Sequence, residues 1–247
     1  MDDQEGHQKT RFLDLLRAAQ EGSRSGVLIA SLPRNDPELA RAALAGGADV
    51  LKVHLNVTHN ASGVRFGSLA EEAANLEAIL RAAGEVPVGI VPSGNADLKK
   101  DELEKLDGMG FDFLSLYDGH APVGSLPGRD RLSRMIALSS EDDRFLAARF
   151  PRLAIDIVEL SVMDHQTYGE PFTYRDLAKI SDLIAAVAPL PSVLPTQRRI
   201  TPEMVPELIG AGVCGLMIGV IVAGRTPESW KAACGAYRRA LAGSASS

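Results

Sequence analysis

Short apolar runs alternate along the chain with longer segments whose apolar residues recur every three or four positions. "GVLIASL" (26–32), "ADVLKVHL" (48–55), "VPVGIVPSG" (86–94), "FDFLSLYD" (111–118), "LAIDIVELSV" (153–162), "PSVLPT" (191–196) and "CGLMIGVIV" (214–222) have the length and composition of strands. The segments between them carry helix punctuation. A helix begins near Asp36-Pro37-Glu38, where proline suits the first turn. "SLAEEAANLEAILRAAG" (68–84) has a serine cap, glutamates in its first turn and glycine past its end. "KKDELEKLDGMG", "TYRDLAKISDLIAAVA" (173–188), a segment from Pro202 and one from Pro227 to Leu241 continue the series, and "KTRFLDLLRAAQEG" adds a helix before the first strand. Residues 119–152 fit no single pattern. "DRLSRMIALSSEDDRFLAARF" reads as one irregular helix, as two helices, or as a strand at "RMIALSS" followed by a helix.

Strands separated by helices imply parallel pairing with helical crossovers. Seven such strands, with an eighth in 119–152, and a length of 247 residues fit a closed (βα)8 barrel of the TIM type. The barrel is expected to be irregular around its fourth and fifth βα units and to carry an N-terminal helical extension over 1–25. No G-x-G-x-x-G follows the first strand, which argues against a dinucleotide-binding open sheet. No linker or internal repeat divides the chain, so one domain over 1–247 is expected, with a flexible tail at 243–247.

The polar residues of the strands locate a site. Of five histidines, His7 lies in the N-terminal segment and the other four fall at or just past strand ends: His54, His59, His120 and His165. In a parallel barrel that is where chemistry collects. Alternation along "ADVLKVHLN" puts Val50, Lys52, His54 and Asn56 on one face and Leu51, Val53 and Leu55 on the other. The aliphatic face packs on helices, so Lys52, His54 and Asn56 are expected inside the barrel near its mouth. In "IDIVELSV" the same logic groups Ile155, Ile157, Glu159 and Ser161, making Glu159 the deep carboxylate, with Asp118 as a second candidate. An interior lysine is either paired, with Glu159 here, or desolvated into a usable base or nucleophile. The plain structural reading is a Lys–Glu pair that fills the barrel.

The last two strands add an anion signal. Loops after strands seven and eight of such barrels cradle phosphate with backbone N–H groups. Here they offer Gly219 and Val220, with Gln197 and Arg198 as side-chain donors.

Composition limits the partners. Hydrophobic residues make up 45% and charged ones 23%, as in an ordinary globular protein, and a net charge of −6 disfavours nucleic acid. No apolar run approaches the ~18 residues of a membrane span, and the polar, acidic start is no signal peptide, so a cytoplasmic location is expected. Cys214 and Cys234 are too few for a disulfide framework and read as buried thiols.

The stretch 191–229, with "GAGVCGLMIGVIVAGRTPE", resembles the closing half-barrel of the ribulose-phosphate-binding barrels, in particular ribulose-phosphate 3-epimerases. "ADVLKVHLNVTHNASGVRFG" resembles their second strand and its loop, and "VELSVMDHQTYGEPF" their strand-six loop. The resemblance implies a phosphate site at the mouth. Where those epimerases carry a metal-binding His and Asp, this chain has Lys52 and His54, so neither a metal of that kind nor another cofactor is expected.

The leading expectation is an enzyme that acts on a small phosphorylated sugar or carbonyl compound. Lys52, His54, Glu159, Asp118, His59 and His165 would form the catalytic set, and Asn56, His120, Gln197, Arg198, Gly219 and Val220 the binding set. The chemistry would be proton transfer beside a carbonyl, as in isomerases and epimerases, or a Schiff base on Lys52 as in an aldolase or lyase. Two alternatives are a metal-dependent lyase or hydrolase built on the rim histidines with Asp118 or Asp164, and a non-catalytic barrel that binds a phosphorylated metabolite. A homo-oligomer is compatible with each.

Overall fold

The computed structural model describes residues 11–98, 100–128 and 132–244. The chain runs through β1 (Val27–Ser31) and β2 (Val50–His54), a hairpin of β3 (Val57–Thr58) and β4 (Arg65–Phe66), and then β5 (Val88–Val91), β6 (Phe113–Tyr117), β7 (Ser133–Ala137), β8 (Ile157–Glu159), β9 (Ser192–Pro195) and β10 (Gly215–Ile218). All but the hairpin form a closed barrel of eight parallel strands, with β10 pairing back onto β1. The helices are α1 (Arg11–Gln20), α2 (Pro37–Ala45), α3 (Leu69–Ala83), α4 (Lys100–Gly108), α5 (Arg144–Ala147), α6 (Tyr174–Val187), α7 (Val205–Gly210), α8 (Val220–Ala223) and α9 (Pro227–Gly243). The fold is a TIM-type (βα)8 barrel. Capping boxes start α3 at Ser68 and Glu71, α6 at Thr173 and Asp176, and α9 at Thr226 and Ser229, each satisfying N–H groups that a helix start leaves free.

Strand alternation divides the core in two. Outward-facing Leu28, Leu51, Val53, Ile90, Leu114, Val158, Leu194 and Leu216 pack under the helices. The interior is stacked in layers drawn from alternate strands. Val50, Phe113, Ile157 and Gly215 (from β2, β6, β8 and β10) form one layer above Val27, with Ile29, Gly89, Met135 and Val193 from the other four strands above them. Helix α1 closes the bottom. Its Phe12, Leu13 and Leu16 join this interior cluster, and the Phe12 and Phe113 rings lie 4.3 Å apart. Gly89 makes room for that aromatic pair, since a Cβ there would fall 2.0 Å from the Phe113 ring. The next layer up is Lys52, Ser115, Glu159 and Met217, and at the mouth stand His54, Tyr117, Ser161 and Gly219.

The unsettled segment resolves as a strand, β7, followed by the one-turn helix α5 and a 3-10 turn at Phe150–Arg152. Between β6 and β7 the described residues hold only the 3-10 turn Asp118–His120, which is the irregularity expected around the fourth and fifth units. Three expectations need correction. The last strand ends at Ile218, not at 222, because Gly219 turns the chain into α8. The "LAIDIVELSV" strand is confined to Ile157–Glu159. The loop after β2 is a hairpin, and Asn56, at φ 52°, breaks the strand alternation. Of the N-terminal extension, 1–10 (with His7) lies outside the described residues, as does 245–247 of the tail, whereas Gly243 closes α9. Among the described residues no helix is long and apolar enough to cross a membrane.

Candidate functional site

Above the apolar layers the barrel opens into a cavity of about 210 Å³ at the carboxyl ends of the strands. Its floor is a charged triad from three alternate strands. Lys52 Nζ donates to Glu159 Oε2 at 2.7 Å, and Ser115 Oγ donates to the same oxygen at 3.0 Å. Lys52 and Glu159 are each 5% exposed, so the pair is removed from bulk water. Among the described residues no donor reaches Glu159 Oε1. One carboxylate oxygen is therefore pinned and the other is available to a ligand.

The histidines of β2 and its hairpin form one wall. The His54 and His59 rings lie 4.9 Å apart, and Phe66 packs on His54 at 4.8 Å. The backbone of His54 is clamped by the Asn35 side chain, which donates to the His54 carbonyl at 2.8 Å and accepts from its N–H at 3.3 Å. Nδ1 of His54 is buried and has no hydrogen-bond partner among the described residues. His59 Nδ1 accepts the Ser62 N–H at 3.3 Å and lies 3.1 Å from Ser62 Oγ, which leaves the ring proton on Nε2. Burial, then the neighbouring His59, then Lys52 hold His54 well below the usual imidazole range. Burial and Lys52 hold His59 at about 4, against a smaller opposing pull from Glu159. Both rings are neutral at pH 7.

The opposite wall is a hydrogen-bonded brace. Tyr117 OH and Ser161 Oγ lie 2.9 Å apart, and Gln197 Nε2 donates to Ser161 Oγ at 2.9 Å and to the Tyr168 hydroxyl. Gln197 Oε1 accepts the Met163 N–H at 3.0 Å. Burial raises the Tyr117 and Tyr168 phenols above their ordinary range, so both stay protonated. Gly219 N–H donates to Thr196 Oγ1 at 3.1 Å, and the N–H groups of Val220 and Ile221 precede the first bonded turn of α8. A Cβ on Gly219 would meet nothing within 4 Å, which leaves open space on the cavity side.

Several expected site residues are placed otherwise. Asn56 is exposed and turned away from the mouth, its amide donating to the Pro92 carbonyl at 3.1 Å and to Glu102 at 3.3 Å. The left-handed turn after β2 is the reason. Arg198 does not face the cavity. It pairs with Glu170 at 2.6 Å and Asp176 at 3.8 Å and donates to the Thr167 carbonyl. Asp118 also lies off the cavity, its carboxylate turned back onto the Gly119 N–H at 2.7 Å. His120 lines the rim and packs edge-on against Tyr117 at 5.7 Å. His165 stands further out, 3.0 Å from the Asn60 amide and edge-on to Tyr168. Gln197 lines the cavity but is occupied by the brace, whereas Val220 and Gly219 border open space. Among the described residues no three His, Cys, Asp or Glu side chains come together as a metal could require, so the rim-histidine ligand set is not assembled.

Sequence reasoning passed over Ser115, Tyr117, Tyr168 and Asn35. The first two were available from alternation in "FDFLSLYD", where Phe113, Ser115 and Tyr117 share a face. Tyr168 and Asn35 reach the site from loops, where no period applies.

No protein-family description and no curated protein matches the chain. Solved structures do. A thiamine phosphate pyrophosphorylase from Pyrococcus furiosus aligns over 90% of this chain and 98% of its own at 14% identity and a TM-score of 0.62. Tryptophan synthase from Mycobacterium tuberculosis aligns over 95% and 99% at 15% identity and a TM-score of 0.67. KGPDC from Streptococcus mutans aligns over 88% and 97% at 11% identity and a TM-score of 0.63. At such identities the likeness is one of fold, that of a closed (βα)8 barrel.

Proposed function

We propose that the protein is an enzyme that moves a proton beside the carbonyl of a small phosphorylated metabolite. The observation that carries this reading is the Lys52–Glu159–Ser115 triad on the floor of an open cavity, with one oxygen of Glu159 unbonded among the described residues. Glu159 Oε1 takes the proton from the carbon next to the carbonyl. The carbon–hydrogen bonding pair becomes the new carbon–carbon π bond, and the carbonyl π pair moves onto oxygen. The Lys52 ammonium, oriented by Glu159 Oε2, has two further N–H groups to stabilise that oxyanion. The phosphate sits across the cavity on the N–H groups of Val220 and Ile221, beside the space at Gly219. A structural neighbour named for a phosphorylated compound, a thiamine phosphate pyrophosphorylase, supports a phosphorylated substrate.

A Schiff base on Lys52 is the second reading, and it requires the amine first to hand its proton to Glu159. Proton NMR in D2O tests the proton transfer, and borohydride trapping separates the two readings. Dihydroxyacetone phosphate and ribulose 5-phosphate are incubated with the protein, and the proposal expects loss of the α-C–H signal. A panel of such compounds left unexchanged overturns it. Covalent trapping by borohydride in the presence of either compound selects the Schiff-base version.

A further inference from the structure

The hydrogen-bonded brace across the cavity from Lys52 has a direction, and Gln197 sets it. Gln197 Oε1 accepts the Met163 N–H at 3.0 Å, which fixes the way round that the amide sits. Both N–H groups of Nε2 are then donors, one to Ser161 Oγ at 2.9 Å and one to the Tyr168 hydroxyl. The backbone supports the same arrangement, since the Gln197 carbonyl accepts the Gly169 N–H at 2.9 Å beside Tyr168. Ser161 is 5% exposed, and the acceptor for its proton among the described residues is the Tyr117 oxygen, 2.9 Å away. Ser161 therefore donates to Tyr117. Burial raises the Tyr117 phenol, Ser161 counters this, Glu159 adds to the rise and the Tyr168 hydroxyl counters it again. The two phenols are thus neighbours, and a bond between them takes up at most one of their two protons. At least one phenol proton is left for the cavity, which Tyr117 and Tyr168 both line while only partly buried.

Position decides which phenol offers it. Tyr168 comes from a loop and packs edge-on against His165 at the outer rim. Tyr117 ends β6, two residues along the same face from Ser115, which is bonded to Glu159 at 3.0 Å. Tyr117 therefore stands one layer above the charged floor. Its oxygen is already an acceptor from within the brace, so what it offers a ligand is a donor.

We propose that Tyr117 is a second oxyanion donor of the site, its O–H aimed by Gln197 through Ser161 and Tyr168 at the oxygen where negative charge develops. This rests on the proton-transfer reading above, in which Lys52 meets the same oxygen from the floor. No bond breaks in this step: the proton stays on Tyr117, and the barrier falls because the hydrogen bond strengthens as charge builds on the substrate oxygen. The bonds leading outward from Gln197 polarise one another, so the last O–H is a stronger donor than an isolated phenol. Tyr117 is a catalytic residue on this assignment, and Gln197 a positioning residue that acts through it.

The test follows α-C–H exchange of dihydroxyacetone phosphate in D2O with Tyr117→Phe, which keeps the ring and removes the donor. Loss of one oxyanion donor costs as much as roughly 10²–10³ in kcat, so we expect a fall of at least about tenfold with KM within about threefold of the wild type. Gln197→Met, which loses both N–H groups, is expected to lower kcat in the wild type but by less than about twofold in the Tyr117→Phe background. A side chain that only packs the wall would cost the same in both. The wild type supplies a readout that needs no variant to fold. Phosphoglycolohydroxamate, which carries an ionised oxygen in place of the oxyanion, should shift the Cζ carbon resonance of Tyr117. An unmoved resonance, wild-type kcat in folded Tyr117→Phe, or an equal cost of Gln197→Met in both backgrounds overturns the inference and leaves the proton-transfer reading standing. A wild type that exchanges neither dihydroxyacetone phosphate nor ribulose 5-phosphate removes that reading, and this inference with it.

Discussion

At the scale of single residues, the Lys52–Glu159 pair bears on stability and, in the proposed function, on chemistry. Two charges removed from water are held by their mutual attraction and by Ser115, and deleting one leaves the other buried and uncompensated. Lys52→Met is expected to cost about 3–5 kcal/mol in urea unfolding, and the double variant Lys52→Met/Glu159→Leu to recover most of it. A double variant no better than the single one would show that the pair carries more than its own charge balance. The histidines predict a pH dependence of definite sign. His59 has its affinity for protons lowered from 6.5 to about 4 on folding, so the unfolded chain binds more protons between those values. Stability therefore rises with pH across 4 to 6.5, by something on the order of 3 kcal/mol for a shift of this size, and is lost as pH falls through the window. His54 acts in the same direction. His59→Gln should flatten the urea midpoint between those pH values, and an unchanged slope would mean that other groups govern it. Lys52, His54 and Glu159 were legible in the sequence because strand period two fixes which side chains share a face. Asn56 was not, since one residue at φ 52° ends the alternation without any signal in residue type beyond asparagine's tolerance for that conformation. Arg198 misled for a different reason. Arginine suits phosphate and carboxylate equally, and Glu170 and Asp176 reach it from a loop and a helix start that no local pattern connects to it.

At the scale of elements, helix α1 and the strand interior act together. The helix closes the amino-terminal end with Phe12 against Phe113, and Gly89 leaves the volume that the Phe113 ring fills. Phe12→Ala is expected to destabilise by about 3–5 kcal/mol through the cavity it opens. Gly89→Ala should be costly too, because a Cβ 2.0 Å from the ring forces Phe113 out of its seat. Thermal melts of both variants check this, and wild-type behaviour in either would show that the bottom of the barrel repacks freely. The extra helix was readable from its periodicity, but its role as a plug was not, because nothing in "RFLDLL" says which end of a barrel it meets. The strand β7 sat in the one stretch where a short apolar run leaves helix and strand equally open, and only pairing with β6 and β8 decides it. The one-turn helix α8 was read as strand because "GVIVAG" is β-branched and apolar, yet Gly219 turns the chain and the first bonds run back to the Gly219 carbonyl.

At the scale of the whole molecule, the barrel separates apolar layers from polar ones along its axis. Apolar layers and α1 hold the lower half, and the polar layers gather where the strand ends and loops converge. Loops from distant parts of the chain meet there: Asn60 reaches His165, and Arg225 donates to the Ser62 carbonyl at 2.9 Å. The open space at Gly219 belongs to the polar half, so in the proposed function Gly219→Val should change stability by no more than about 0.5 kcal/mol while weakening inorganic phosphate binding at least about tenfold. Calorimetric titration with phosphate reads it, and undiminished binding would move the anion site elsewhere. The central claim is that Glu159 is the base at the floor of this cavity, and it is tested most directly by the rate of α-C–H exchange of dihydroxyacetone phosphate in D2O for Glu159→Gln against the wild type. A fall of roughly 10²–10⁴-fold in a variant that remains folded is the expected result, and exchange at the wild-type rate would contradict the account.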